Sequence, residues 1–475
     1  MTNNEYVFDL LHKAVKFGEK LGASFIEARY DNIILTNLSK VNEELEKADS
    51  KLRRGIGIMA YYEGSEGASF TPELSQKSIE EAVTTAFSIA KASSRRNKLK
   101  LPIKNRSPKK EKIPSRGKLH PKDIEISTKI ELLDRIDENM HEILDLKASK
   151  VLYGEYWGEK LFVNSEGSEI IWHPLIVNIG GLAIGMTDSG EQRMGMEQAV
   201  SSLGLEAFKQ KESTPEYVGK KAGEYCKANL NAKAIKSGKY SALIGPILSG
   251  VLAHESFGHL TEGDRIVNGV SPLAGQLGNQ LGTKHATIID EGITDSDSAH
   301  YFPFDDQGSA TQKTILLEKG ILKGFLLNRG CANKLDMDTT GNSRAVNYMH
   351  PPIPRMKNTY FTPGTLSVDE ALEQLGTGIY AIKSSGGQVG MDGNFLFQCS
   401  RGFYVEDGEI KYPIRDVALS GNILDFLKQI KGATTRFKLR TGIFGGCGKA
   451  GQFPLFCGMG GPDLLVNEVL IGGSK

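Results

Sequence analysis

The sequence predicts an α+β protein of two domains, an α+β N-terminal domain over residues 1–235 and a β-rich C-terminal domain over 236–475 that carries one important helix. Three observations predict this. Apolar residues recur at helical spacing in long segments, all of them before residue 231. Glycine is in excess, 54 of 475 residues, about 11% against a usual ~7%. Beyond residue 235 the texture changes to short β-like runs between Gly-rich turns.

Residues 5–22 place Val7, Leu10, Leu11, Ala14 and Val15 on one helical face and end at Gly18 and Gly22. Phe25 to Tyr30 reads as a strand, with Ile33 to Leu35 starting another, and Ile56 to Tyr62 reads as a third closed by a turn at Glu63-Gly64-Ser65. Pro72 and Glu73 open a second helix over about Leu74–Ser93, with Ile79, Ala82, Val83, Ala86, Ile89 and Ala90 inward. Residues 95–118 hold eleven basic residues, one acid and three prolines. They lack the interleaved aromatics of a stacking surface, so they read as a solvated connector rather than a nucleic-acid contact. Asp123–Leu146 reads as a helix, Lys150–Trp157, Glu159–Asn164 and Ser168 to about Met186 as strands, and Glu212–Leu230 as a fourth helix. Ala232 to Gly238 reads as the domain joint. Short strands follow, at Tyr240–Ile244, His285–Ile289, Thr314–Leu317, Phe325–Leu327, Gly378–Ile382, Phe395–Cys399 and Phe403–Glu406.

Composition excludes several classes. Lys and Arg number 58 against 57 Asp and Glu, so no global field draws the chain to nucleic acid or anionic lipid. No apolar run reaches the ~18–20 residues of a membrane span. The polar start lacks the basic and apolar regions of a signal peptide, and five cysteines without a C-x-x-C pair do not make a disulfide framework. A reduced, cytoplasmic protein is the expectation.

The chemistry lies in one helix, Pro246 to His259, apolar until it presents His254, Glu255 and His259. Two histidines with an acid directly after the first are the elements of zinc hydrolysis, because neutral imidazoles bind the ion and the acid takes a proton from water. The spacing is H-E-x-x-x-H. On a regular α-helix an i, i+4 pair sits about 40° apart around the axis and an i, i+5 pair about 140°. The two histidines therefore share a metal only if one turn is widened, as in a π-bulge, or if the helix ends before His259. Gly258 tolerates either distortion. Glu262 and Asp264 follow, acids of the kind that orient ligand imidazoles through their second nitrogen. A catalytic zinc takes three protein ligands and keeps one position open, so a third ligand is needed. Cys447, in a glycine-flanked stretch with Lys449 nearby to help its thiolate form, and Cys457 are both candidates, whereas Cys226 and Cys399 fall at core positions.

The run Ala253–Asp264 resembles the TldD/PmbA family of metallopeptidases. So do Cys447-Gly448-Lys449-Ala450-Gly451-Gln452, Gly341 to Ala345, Pro352 to Tyr360 and Arg53-Arg54-Gly55-Ile56-Gly57. The resemblance spans most of the chain and is densest over 240–462. It implies a TldD-like, H-E-x-x-x-H-bearing subunit with one zinc per chain on His254, His259 and Cys447, and Glu255 as general base. Ser256-Phe257 replaces smaller residues between the ligands. The resemblance also implies a homodimer, or a heterodimer with a PmbA/TldE-like chain that lacks the motif, and the first functional reading is a zinc peptidase acting on peptides or unfolded protein segments. Arg344 and Arg355 are candidates for holding a substrate carboxylate or a developing oxyanion, and Tyr348 and His350 for electrophilic donors. The alternative reading is a non-catalytic assembly or peptide-binding subunit with a structural metal.

Overall fold

A computed structural model describes residues 3–96, 106–441 and 445–472. Residues 97–105, the middle of the basic segment, lie outside the described residues. The fold is α+β, as the sequence predicts, with helices packed on two large sheets.

The first sheet takes its strands from residues 25–201. β1 (Phe25–Val41) and β2 (Glu44–Tyr62) form a long hairpin, continued by β3 (Ser65–Thr71). Asn42 and Glu43, both at positive φ, make the two-residue turn, a conformation whose twist matches that of the flanking strands. On its other side β1 pairs along β5 (Ala148–Asn164). The glycine that reads as a strand break, Gly158 at φ +148°, sits inside this continuous strand, and a Cβ there would lie 2.1 Å from the Asn32 carbonyl oxygen. The run predicted from Ser168 to Met186 is instead two strands, β6 (Glu169–Trp172) and β7 (Leu175–Met186), divided at Pro174, which has no N–H for the ladder. β8 (Gln192–Ser201) pairs β7, and β8 and the first half of β2 are strands that sequence pattern did not mark. Part of the basic segment is also a strand, β4 (Lys110–Ile113), which pairs in parallel with β6.

Helices α1 (Asn3–Leu21) and α2 (Gln76–Ser94) bury their apolar faces on one half of this sheet. Phe87 is buried and Ile89 exposed, because the inward arc of α2 runs through 79, 83, 86, 87 and 90. α3 (Ile126–His141) and α4 (Pro215–Leu230) pack over the other half. Thr214 caps α4 by accepting from the Tyr217 N–H, with Pro215 at its first position.

The second sheet has twelve strands among the described residues. At its centre β9 (Gly238–Ile244) lies between β13 (Gly458–Gly472), antiparallel, and β10 (Gly378–Val389), parallel. β11 (Asn394–Glu406) continues from β10, and β12 (Ile430–Arg440) pairs β13. Phe325–Leu327 is not a strand, and the run predicted at His285–Ile289 forms its strand at Ile288–Glu291.

The two sheets meet beside the metal helix through a buried charge cluster. Glu197 of β8 accepts from Lys383 of β10 at 2.6 Å and from Arg440 of β12 at 3.0 Å. Burial pulls the Glu197 carboxyl up, but Arg440 and Lys383 outweigh it and hold it down at about 2. Since the folded value lies below the ordinary 4.5, the stability this group contributes is present above pH 4.5 and is lost as pH falls towards 2. We predict that Glu197→Gln lowers stability at pH 7 by about 3–5 kcal/mol, leaving two cations uncompensated. The melting temperature of wild type should also fall more steeply than that of the variant between pH 4.5 and 2. Parallel melting-temperature profiles would contradict this.

Candidate metal centre

Strand β9 runs into Gly245, whose N–H donates to the Ala381 carbonyl, and Pro246 begins helix α5 (Pro246–Val251). Gly250 lets α5 lie directly on β13, since a Cβ there would sit 2.3 Å from the Gly460 nitrogen. Ser249 Oγ fixes the helix further by donating to the Pro462 carbonyl at 2.8 Å. The widened turn that the i, i+5 spacing demands is present: Leu252–Phe257 is π-helical and Gly258–Thr261 continues as a 3₁₀ turn. The two imidazoles consequently face one another, with ring centroids 5.6 Å apart.

Four donor groups converge there. One ligand atom from each of His254, Glu255, His259 and Cys447 lies within 4.8 Å of all the others. Cys447 Sγ is 2.9 Å from His259 Nε2, and a Glu255 carboxylate oxygen is 3.4 Å from the same nitrogen. His254 is fully buried, and its Nδ1 has no hydrogen-bond partner among the described residues. Cys457 stands just beside the group, with Sγ 3.6 Å from His254 Nε2. Two imidazoles and a thiol, next to a carboxylate, form a donor set that fits zinc, borderline-soft and indifferent to geometry.

Glu262 is fully buried beneath His259, 3.1 Å from its Nδ1. With the Nδ1–H tautomer donating to this carboxylate, the Nε2 lone pair is directed at the other donors. Cations surround Glu262: Lys449 at 3.0 Å, with Arg265 and Arg355 each at 3.4 Å. Burial raises the Glu262 carboxyl, but His259, Lys449 and Arg355 lower it more, to about 2. Burial opposes protonation of His259, yet Glu262, Cys447 and Glu255 raise its pKa well above 6.5, so metal and proton compete for Nε2. We predict that Glu262→Gln weakens zinc affinity by about 10–100-fold, measured by competition with a chromogenic chelator. Unchanged affinity would remove Glu262 from the support of the site.

Glu255 opens onto a cavity of about 600 Å³ whose wall also carries Gly181, Glu197, Gly386, Arg440 and both cysteines. Burial raises its carboxyl, but the His259 hydrogen bond and the charges of His254, His259 and Arg355 bring it down to about 2, so it is ionised at neutral pH.

Several expectations require correction. Lys449 does not serve the Cys447 thiol; its ammonium goes to Asp264 at 2.7 Å, to Glu262 and to the Pro354 carbonyl at 3.1 Å. Asp264 thus pairs with Lys449 rather than with either imidazole. Arg344 and Arg355 do not line the cavity. Arg344 is buried and donates to the carbonyls of Met356 and Phe456, a brace between two loops. Arg355, buried against Glu262, is placed to steady that carboxylate rather than to touch a substrate. Tyr348 packs over Gly55, and His350 Nδ1 meets Asn347, so neither faces the cavity. Gln452 joins the remaining motif segments, accepting from the Val346 N–H and donating to the Pro351 carbonyl. Sequence reading missed the cavity wall contributed by β7, β8, β10 and β12, whose residues carry no local signal.

A π-widened histidine helix, a thiol and a carboxylate at the mouth of a cavity define a metallohydrolase-type centre. Comparison with known proteins agrees. Profiles of the PmbA/TldA metallopeptidase match in three parts: domain 1 over residues 26–90, the central domain over 119–230 and the C-terminal domain over 237–473. A metalloprotease of Methanothermobacter thermautotrophicus is 33% identical over 433 residues, covering 91% of each chain. A zinc metalloprotease TldD homolog of Saccharolobus solfataricus is 26% identical, covering 98% of this chain and 100% of its own. TldE from Thermococcus kodakarensis shares the fold, with a TM-score of 0.77 at 18% identity over 98% of this chain and 100% of that one. The chain belongs to the TldD/PmbA metallopeptidase family.

Proposed function

We propose that this chain is a zinc-dependent peptidase acting on peptides or unfolded protein segments, with one zinc held by His254, His259 and Cys447 and with Glu255 as general base. The observation that carries the reading is the convergence of those three donors beside an ionised carboxylate that faces a cavity. A bound zinc supplies Lewis acidity that polarises a scissile carbonyl and acidifies water. The protein's residues supply the rest. Glu255 accepts a proton from the attacking water at a carboxylate oxygen and delivers it to the leaving amine nitrogen. Glu262 fixes the His259 tautomer and ring direction, and Lys449, Arg265 and Arg355 keep Glu262 ionised. Cys457 lies outside the set of mutually close donors, which supports an open coordination position rather than the four protein ligands of a structural zinc.

The reading extends to assembly and setting. The chain works as a homodimer, or paired with a TldE-like subunit, in a reducing cytoplasm that keeps its five cysteines free. No described helix is long and apolar enough to cross a membrane. Hydrolysis of a permanently unfolded protein such as casein should disappear on chelation and return with added zinc, while compact folded proteins resist. Hydrolysis that persists in a zinc-free preparation would overturn the reading. Tightly held zinc with no hydrolysis, alone or with a TldE-like partner, would instead establish the non-catalytic alternative.

A further inference from the structure

We propose that Cys447 and Cys457 form an oxidisable pair: peroxide joins them in a disulfide, which withdraws the sulfur donor from the metal centre. The inference rests on the reading above in one respect, that Cys447 is a metal ligand. The pairing itself stands on the fold.

Cys447 begins a short hairpin, Cys447–Lys449 against Gln452–Leu455, in which it pairs with Leu455. Cys457 is two residues past Leu455, so the two cysteines sit diagonally across the hairpin base with nine residues between them. Both are buried, and both stand against the same pair of imidazoles, whose ring centroids are 5.6 Å apart. Each sulfur also contacts a different imidazole of the centre, Cys447 that of His259 and Cys457 that of His254. Diagonal neighbours stand about 7–8 Å apart at Cα and a disulfide needs about 4.4–6.8 Å, so closure takes a small approach of the two strands. The Cys447 side of the hairpin base can supply it: Gly445 and Gly446 precede Cys447, and among the described residues nothing lies within 4 Å of where a Gly445 Cβ would be, whereas Cys457 is followed by Gly458, which the sheet holds through its N–H to the Lys357 carbonyl. Both sulfurs line the 600 Å³ cavity, which admits an oxidant as small as hydrogen peroxide. The other thiols are placed differently. Cys226 donates to the Arg193 carbonyl and Cys399 to the Arg401 carbonyl, while Cys331 lies in a separate short helix, Arg329–Lys334.

The chemistry balances with peroxide as the oxidant. One thiolate attacks a peroxide oxygen, the O–O bond breaks, a sulfenic acid forms, and hydroxide leaves and is protonated to water. The second sulfur attacks the sulfenic sulfur, the S–O bond breaks and a second water leaves. Two thiols lose two electrons and two protons, and one peroxide is reduced to two waters. A dithiol reductant reverses the change by exchange. Formed this way, the bond leaves Cys447 with no thiolate for a metal.

The test is mild hydrogen peroxide on the full chain, zinc-loaded and zinc-free, read by thiol titration, intact mass, non-reducing peptide mapping and zinc release. Reactive thiols should fall from the sequence's five to three, with a mass lower by two hydrogens, a linked Cys447–Cys457 peptide and stoichiometric zinc loss. Dithiothreitol should restore all of these. Cys457→Ser should retain zinc before treatment but form no such link, its Cys447 gaining oxygen instead. Oxygen addition at Cys447 of the wild-type protein, with Cys457 still a thiol, would overturn the proposal. A disulfide formed while zinc stays bound would uphold the pair and refute Cys447 as a ligand, and failure to link in the zinc-free protein would refute the pair alone.

Discussion

Glu255→Gln should bind zinc as wild type does and hydrolyse an unfolded protein about 10²–10⁴-fold more slowly, the range lost with a general base. The substitution preserves size and leaves an amide oxygen near His259, so the helix and its widened turn persist. What disappears is a basic oxygen at the cavity wall. The Glu255 carboxyl, at about 2 through the His259 hydrogen bond and the charges of His254, His259 and Arg355, is ionised at neutral pH, and the effect should be read there. Two readouts separate the base from the metal: zinc per chain, expected to be unchanged, and the initial rate on casein. A variant with full zinc and near wild-type rates would remove Glu255 from the chemistry and leave the water to be activated otherwise.

The second large effect falls on the sulfur. Cys447→Ser exchanges a soft thiolate for a hydroxyl that stays protonated at neutral pH and is a poor zinc ligand. Zinc affinity should fall by more than the ~10–100-fold that loss of a supporting residue costs, and hydrolysis should fall with it. Cys457→Ser should keep its zinc, because Cys457 contacts His254 but stands outside the close donor set. Equal zinc loss in both variants would mean that the two sulfurs share the ligand role.

Where the determining interactions are local, the site was legible in the residues. His254, Glu255 and His259 lie within one helical segment, and the angular mismatch of an i, i+5 pair foretells the π-helical turn between Leu252 and Phe257. Glu262 was legible for the same reason, three residues from the histidine it orients. Cys447 was not: five cysteines compete, and only a fold brings a residue 188 positions from His259 to within 2.9 Å. Its selection came from the resemblance of Cys447–Gln452 to a family segment. Lys449 was misplaced because sequence proximity to Cys447 says nothing of the buried carboxylate from another element, Glu262, that claims its charge.

The fold divides similarly. The face of α1, and that of α2 apart from the exchange of Ile89 for Phe87, followed from periodicity, but the length of β5 did not, because Gly158 reads as punctuation unless the neighbouring Asn32 backbone is known. Likewise, nothing around Glu197 or Arg440 signals that they meet across two sheets to form the cavity wall.

The measurement that tests the central claim most directly is X-ray absorption at the zinc edge of the purified chain loaded with one equivalent of zinc. The account predicts a first shell with one sulfur at about 2.3 Å and two imidazole nitrogens at about 2.0–2.1 Å, completed by a light, exchangeable atom. Cys447→Ser should lose the sulfur contribution and Cys457→Ser should keep it. A wild-type shell without sulfur, or one with two sulfurs and two imidazoles and no exchangeable atom, would contradict the account.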